Sequence, residues 1–314
     1  MDAPKPLDTQ ASATMLVLCM VWGLQQVAIK AAAPDIAPIL QISLRSGLAA
    51  LLVGLLMAWR KQRVEFAHGA WRPGLAVGCL FALEYLLVGE GLRFTSASHM
   101  VVFLYTAPIF VALGLHWKLP AERLSPLKWL GIALAFAGIL LTFVGRSAPA
   151  GADQPTHVLW GDALGLLAGM CWGATTVVLR CSSLAKASAA QTLLYQLVAA
   201  FVLLLLAAFV LGQTTVHLTP MLWSSLLFQA VIVSFISFLV WFGLLRRYLA
   251  SQLSVFTFLT PLFGMAFGVW LLDEPLEIGF VLGAVCVLAG VVLVSSEAWL
   301  KQNFQRVKKQ LSAA

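Results

Sequence analysis

The chain has 314 residues, of which 61% are apolar and only 11% charged, with a formal net charge of +7. An ordinary soluble domain carries about 25% charged residues, so this composition excludes a soluble globular protein and a disordered one. A membrane span uses about 20 apolar residues, and ten such spans leave no room for an enzyme domain hung on an anchor.

In chain order, the apolar runs predict ten spans, over roughly 12–31, 38–59, 73–92, 97–117, 127–145, 158–179, 190–211, 221–244, 251–272 and 278–297. The predicted organisation is a cytoplasmic segment 1–11, a first set of five spans in 12–145, a connecting loop 146–157, a second set of five in 158–297 and a basic cytoplasmic tail 298–314. The first run has the length of a full span and lacks an A-x-A-like cleavage site, so it is expected to stay in the membrane.

Charge tests this threading. With the N-terminus inside, sixteen of the twenty Lys and Arg fall on inside segments. Outside segments hold only Lys30, Arg93 and Arg146, and Arg45 lies within a span. Short cytoplasmic connectors collect positive charge, which predicts an inner-membrane protein with both termini cytoplasmic. The same distribution argues against a nucleic-acid partner, because the cations never gather on one face. Trp59, Trp71, Trp117, Trp129, Trp160, Trp223 and Trp299 sit near predicted interfaces, where amphipathic rings are favoured. The five cysteines form no CxxC and read as small packing residues.

The chain also repeats itself. Met20–Lys30, MVWGLQQVAIK, aligns with Met170–Arg180, MCWGATTVVLR, at an offset of 150. Gln41 aligns with Gln191 and Leu44 with Leu194 at the same offset. At 152 or 153, Gly91 matches Gly243, Ala97-Ser98 matches Ala250-Ser251 and Pro108 matches Pro261. Glu122 likewise matches Glu274, Gly131 matches Gly283, and Ala137-Gly138 matches Ala289-Gly290. Each half holds five spans, an odd number, so the second half enters the membrane from the opposite side. The expected fold is an all-α integral membrane protein of ten transmembrane helices in two inverted five-helix repeats. That architecture belongs to many secondary transporters, with the substrate site near the midplane.

On these residues the chain resembles the drug/metabolite transporter superfamily, EamA type. The resemblance rests on Trp22-Gly23 and Trp172-Gly173, the Ala-Ser pairs that open spans four and nine, Pro108 and Pro261, and the Glu122 and Glu274 that follow. Within the superfamily the chain is similar to the YddG-like amino-acid exporters. The resemblance implies a substrate-specific exporter or exchanger that uses no ATP, whose partners are a small molecule and the lipid bilayer.

Candidate functional residues are those a bilayer makes expensive. Arg45 and Glu84 lie inside spans two and three at roughly equal depth, 10–12 Å at 1.5 Å per residue. A buried charge needs a partner, so the two read either as an ion pair or as the binders of an anionic and a cationic substrate group. Phe81, Glu84 and Tyr85 share a face of span three. Trp22 and Trp172 occupy equivalent places and precede polar pairs, Gln25-Gln26 and Thr175-Thr176, of which Gln25, Gln26 and Thr176 are expected to line the cavity with the two Trp rings. Tyr105, Tyr195, Gln229 and Ser237 add polar tips from other spans. Pro108 and Pro261 interrupt spans four and nine and are expected to act as static kinks or as hinges for gating. Glu122 and Glu274 read as acids at a helix N-terminus or lid.

His99, His116, His157 and His217 are scattered without ligand spacing, and no P-loop, HExxH or GxSxG occurs. No metal, no cofactor and no catalytic residues are expected, and the chain is not expected to be an enzyme. The leading function is export or exchange of small metabolites, foremost neutral and aromatic amino acids, through a central cavity. A multidrug or other-metabolite exporter of the same fold is the alternative, followed by a channel or scramblase.

Overall fold

In hydrocarbon every backbone N–H and C=O has to find its partner within the chain, so apolar runs of span length fold as helices. The computed structural model describes residues 8–62, 71–118, 124–144, 155–248, 257, 259–276, 278–290 and 292–293. Among them the regular structure is helical, with one isolated bridge between Ile36 and Val216.

The helices are α1 (Thr9–Ala31), α2 (Pro38–Trp59), α3 (Trp71–Phe94), α4 (Ala97–Leu104), α5 (Ala107–Lys118), α6 (Pro126–Val144) and α7 (Pro155–Arg180). A 3-10 turn, Ser183–Lys186, leads to α8 (Ala189–Val210). Then α9 (Pro220–Leu227) runs without a break through a π-helical stretch, Phe228–Ser237, into α10 (Phe238–Arg247). The last two described helices are α11 (Leu259–Leu272) and α12 (Ile278–Gly290).

Seven of the described stretches are long and apolar enough to cross a membrane: α1, α2, α3, the α4–α5 unit, α7 from His157, α8, and Pro220–Trp241. The other apolar helices are shorter, over Trp129–Gly138, Leu259–Leu272 and Ile278–Gly290. Glu122, Ala250, Ser251, the expected start of the ninth span and the tail from Lys301 lie outside the described residues.

Polar residues start the helices where the sequence turns. Asp8 accepts from the Ala11 amide at 2.7 Å, Ser188 from Gln191 at 3.2 Å and Thr219 from Leu222 at 3.1 Å. Each such cap stabilises by about 1 kcal/mol. Asp8 also accepts the Tyr248 hydroxyl at 2.6 Å, which ties the start of α1 to the end of α10. That hydrogen bond, with the Ala11 amide, holds the Asp8 carboxyl below its ordinary range.

The break between α4 and α5 follows from Pro108. Proline cannot donate to the Leu104 carbonyl four residues back, and its ring crowds that carbonyl. The chain answers with a tighter turn at Tyr105 and Thr106. The Thr106 amide donates to Phe103 O at 3.2 Å, and the Thr106 hydroxyl donates to the same oxygen at 2.6 Å. Pro261 lies on α11, and the residues before it, where a bend matching the one at Pro108 would fall, lie largely outside the described residues. If the Pro108 bend is a hinge, Pro108→Ala should slow turnover several-fold while leaving substrate affinity near wild type. Comparing equilibrium binding with single-turnover flux checks this, and equal losses in both would mark a static kink.

Glycines decide how closely the helices approach. On α7, Gly161, Gly165, Gly169 and Gly173 recur every four residues, a spacing that puts small residues on one face. A Cβ on Gly161 would lie 2.8 Å from the Thr95 amide, and one on Gly169 would lie 3.0 Å from Leu104 O. The α7 backbone thus packs directly on α3, α4 and α5.

Two contacts recur at the repeat offsets. A Cβ on Gly173 would meet Phe110 Cβ at 2.6 Å, Ala107 O at 3.2 Å and Val111 N at 3.2 Å. One on Gly23 would meet Phe263 Cβ at 2.9 Å, Thr260 O at 3.0 Å and Gly264 N at 2.8 Å. The glycines are 150 residues apart and their neighbours 153. Likewise Gly138 on α6 abuts Gly283 O and Val287 N of α12, and Gly290 on α12 abuts Gly131 O and Ala135 N of α6.

The outer surface is apolar, with Leu51, Leu55, Phe209, Val210 and Ile278 exposed. Trp59, Trp71, Trp117, Trp129, Trp160 and Trp223 are exposed near helix ends, as the sequence predicts. A surface of this kind suits lipid.

Candidate functional site: a buried polar cluster and a latched end

Arg45 is among the largest fully buried side chains, at 2% exposure. It lies on α2, seven residues after Pro38, roughly 10 Å along the helix at 1.5 Å per residue. Its Nη1 donates to Gln229 Oε1. Gln229 stands in the π-helical stretch, is fully buried, and returns its Nε2 to the Gln25 carbonyl on α1 at 2.7 Å. A π turn widens the helix and shifts which residues face inward, and such turns concentrate at functional positions. The Arg45 guanidinium also sits over the Tyr85 ring, 4.5 Å from its centroid. Tyr85 in turn receives Gln25 Nε2 on its hydroxyl at 3.2 Å and meets the Phe81 ring edge-on at 4.8 Å. Five of the residues singled out in the sequence, Gln25, Phe81, Arg45, Tyr85 and Gln229, therefore form one cluster across four helical segments.

Glu84 is on the same helix as Tyr85 and is 5% exposed, but it does not pair with Arg45. The ion pairs among the described residues are Arg93–Glu90 at 2.7 Å and His99–Asp162 at 3.0 Å. Equal depth suggests an Arg45–Glu84 pair in the sequence. Depth fixes height along the bundle and leaves direction around the helix open, and Gln229 occupies the place on Arg45. Arg45 Nε, Glu84 Oε2 and Gln26 Oε1 are buried without a hydrogen-bond partner. A buried polar atom left unpaired costs about 1–3 kcal/mol, more if charged, so each of these atoms has capacity to receive a polar group.

The aromatic candidates form two further contacts. Trp22 Nε1 donates to Ser237 Oγ at 2.9 Å and meets Trp241 edge-on at 5.6 Å. Tyr105, at the α4–α5 break, meets Trp172 edge-on at 5.1 Å. Thr176 spends its hydroxyl on the Trp172 carbonyl at 3.1 Å. Tyr195 lies elsewhere, with its ring against Gly74 and its backbone carbonyl against Gly78. There it lines an apolar cleft of about 430 Å³ between α3 and α8, with Leu75, Cys79, Leu194 and Val198. The cleft does not include the Arg45 cluster.

The end of the bundle away from the N-terminus is latched by polar side chains. Lys30 Nζ donates to the carbonyls of Leu92 and of Thr95, the latter at 2.8 Å. Glu274 accepts from the amides of Ala97 at 2.6 Å and Ser98 at 2.9 Å, and from the Ser98 hydroxyl at 2.6 Å. It is thus an acid at a helix N-terminus, as its sequence position suggests, but on a different helix from its own. Gln213 Nε2 bonds Glu90 at 2.5 Å, and Asp35 takes the Thr219 hydroxyl on its carboxylate at 2.6 Å and the His217 amide on its backbone carbonyl at 2.8 Å. Asp162 is a further buried acid, and its place inside an apolar run is the sequence signal for it. Ser225, which takes Gln41 Nε2 and donates to Ala28 O at 2.8 Å, has no comparable signal in the sequence.

The sequence pattern of the EamA-like transporter family matches residues 10–144 and again 159–296. The chain is 25% identical over 281 residues to the transporter YoaV of Bacillus subtilis, covering 89% of this chain and 94% of that one. It is 26% identical over 290 residues to a probable amino-acid metabolite efflux pump of Escherichia coli, covering 88% and 92%. A solved crystal structure superposes with a TM-score of 0.64 at 17% identity, covering 92% of this chain and 97% of its own, which speaks to the fold alone.

Proposed function

From the premise that the chain belongs to the EamA-like transporter family, and so is a multi-pass membrane protein that moves small molecules, we propose that it exports or exchanges neutral and aromatic amino acids. It does so by alternating access, as ten spans in two inverted five-helix halves, in the inner membrane with both termini cytoplasmic. The twofold family match and the glycine contacts that recur at the repeat offset support the two halves. The E. coli relative's described role supports the substrate class.

The observation that carries the reading is that Arg45 Nε and Glu84 Oε2, on the helices α2 and α3, are both buried without a hydrogen-bond partner. A cation and an acid on neighbouring helices suit a zwitterion: Arg45 takes the carboxylate and Glu84 the ammonium, as charge-assisted hydrogen bonds. The Phe81, Tyr85, Tyr105 and Trp172 rings suit an apolar or aromatic side chain. Because the cluster joins α1–α3 to the π-helical stretch of the second half, substrate bound there reports to both halves.

The test is counterflow in proteoliposomes with a panel of labelled amino acids. Saturable uptake driven by trans unlabelled substrate is expected, strongest for aromatic and large neutral amino acids. Glu84→Gln should raise KM about tenfold to a hundredfold, the loss of one charge-assisted hydrogen bond, with little change for analogues lacking the ammonium group. Flux of amphipathic cations but not of amino acids would favour the multidrug reading, and non-saturable flux a channel.

A further inference from the structure

We propose that the apolar cleft between α3 and α8 holds an acyl chain of a phospholipid whose anionic headgroup rests on the basic end of the bundle. The cleft measures about 430 Å³. Four of its lining residues, Leu75, Val198, Val202 and Leu203, are 40–54% exposed on the outer surface. Gly74 meets the Tyr195 ring, and a Cβ on Gly78, one turn further, would lie 2.7 Å from Ala199 Cβ. The two helices therefore run in the same direction and start at the same end.

That end is basic. Arg72, the second residue of α3, is exposed, with its guanidinium 5.3 Å from the Trp71 ring centroid. Arg180, the last residue of α7, is exposed as well. The 3-10 turn that follows it carries Lys186, and its Leu184 is buried in one cluster with Val77 of α3 and Tyr195 of α8. Met57 of α2 packs with Leu193 and Leu197 of α8, so the exposed Arg60 and Lys61 arrive at this end too. Residues 71–79 and 178–203 contain no Asp or Glu to offset these cations.

The occupant follows from the surroundings. An apolar cleft on a lipid-facing surface offers water no polar partners, and left empty its walls forfeit dispersion contacts. Lipid chains are the molecules that reach it. The headgroup follows from charge. Arginine donates paired N–H groups to phosphate, and each cation at a membrane surface favours an anionic lipid. A zwitterionic headgroup brings an ammonium group that the same cations repel. The family pattern places α3 in its first match and α8 in its second, so the lipid lies on the seam between the two. The inference rests on the chain's place in a membrane and is independent of its substrate.

The experiment is native mass spectrometry of the purified full chain in detergent, titrated with phosphatidylglycerol or phosphatidylcholine of identical acyl chains. The wild type should bind phosphatidylglycerol at least about tenfold more tightly. Arg72→Gln and Arg180→Gln should each weaken phosphatidylglycerol about fivefold, the loss of one cation near the headgroup, and leave phosphatidylcholine unchanged. Arg93→Gln, at the far end of α3 and paired with Glu90, should change neither. Val198→Trp fills the cleft from an exposed position and should weaken both lipids severalfold, whereas Val210→Trp, exposed at the far end of α8, should not. Glycerol phosphate, which has the charge and no chains, should not bind in the same concentration range. Equal affinity of the wild type for the two lipids overturns the proposal without any variant. Wild-type binding by Val198→Trp, an equal loss in Val210→Trp, or binding of glycerol phosphate alone overturns it as well. Lipid binding is read without substrate, so its failure would leave the transport reading standing, and absence of amino-acid flux would leave this one.

Discussion

Arg45→Ala should lower amino-acid counterflow by up to roughly a hundredfold while the protein remains extractable and monodisperse. The substitution removes the donor to Gln229 and the cation over Tyr85 together. Removing the charged donor, so that Gln229 Oε1 is left buried without it, costs about 1.5–3 kcal/mol. At 1.4 kcal/mol per factor of ten, an effect of up to about two decades follows. Arg45→Lys keeps the charge but loses the planar fork that reaches Gln229 while stacking on the ring, so it should fall between, at about tenfold. Wild-type flux from Arg45→Ala would remove the cluster from the transport path.

Gly138→Val should destabilise the chain by about 1–3 kcal/mol or more, the range for forcing volume into a tight contact. A Cβ on Gly138 falls 2.6 Å from Gly283 O and 2.7 Å from Val287 N, both backbone atoms of α12 that cannot rotate away. Gly290 makes the reciprocal contact on α6, where a Cβ would lie 2.6 Å from Ala135 N, so Gly290→Val should cost a similar amount. Gly54 on α2 has nothing within 4 Å of its ideal Cβ. Gly54→Ala should therefore be neutral or stabilise by up to about 1 kcal/mol, since alanine favours the helix. Thermal unfolding in detergent of the three variants separates close packing from helix propensity. Equal losses at positions 54 and 138 would mean that the α6–α12 approach is not tight.

Much of the helical layout was legible in the sequence, and for one reason: hydropathy is a property of position along the chain. Apolar runs, Pro38 and Pro220 at helix starts, and Trp at helix ends follow from how single residues meet hydrocarbon, interface and water. The break at Tyr105–Thr106 was legible as well, because Pro108 removes its own hydrogen bond wherever it stands. Arg45 was identifiable as buried since a lone cation in an apolar run has few alternatives.

What each buried group touches was decided by the tertiary structure. Arg45 turned to Gln229 in place of Glu84 because the π-helical stretch resets which residues face inward, and that departure from 3.6-residue spacing leaves no mark on hydropathy. Tyr195 went to the α3–α8 cleft because Gly74 leaves room for its ring there and Gly78 for its backbone. Asp162 and His99, 63 residues apart in sequence, met because the Gly161–Gly173 face lets α7 approach the α3–α4 corner. Composition and spacing along one chain determine which residues enter the membrane and how deep. The direction each faces depends on helix rotation and backbone approach, which only packing between distant segments fixes.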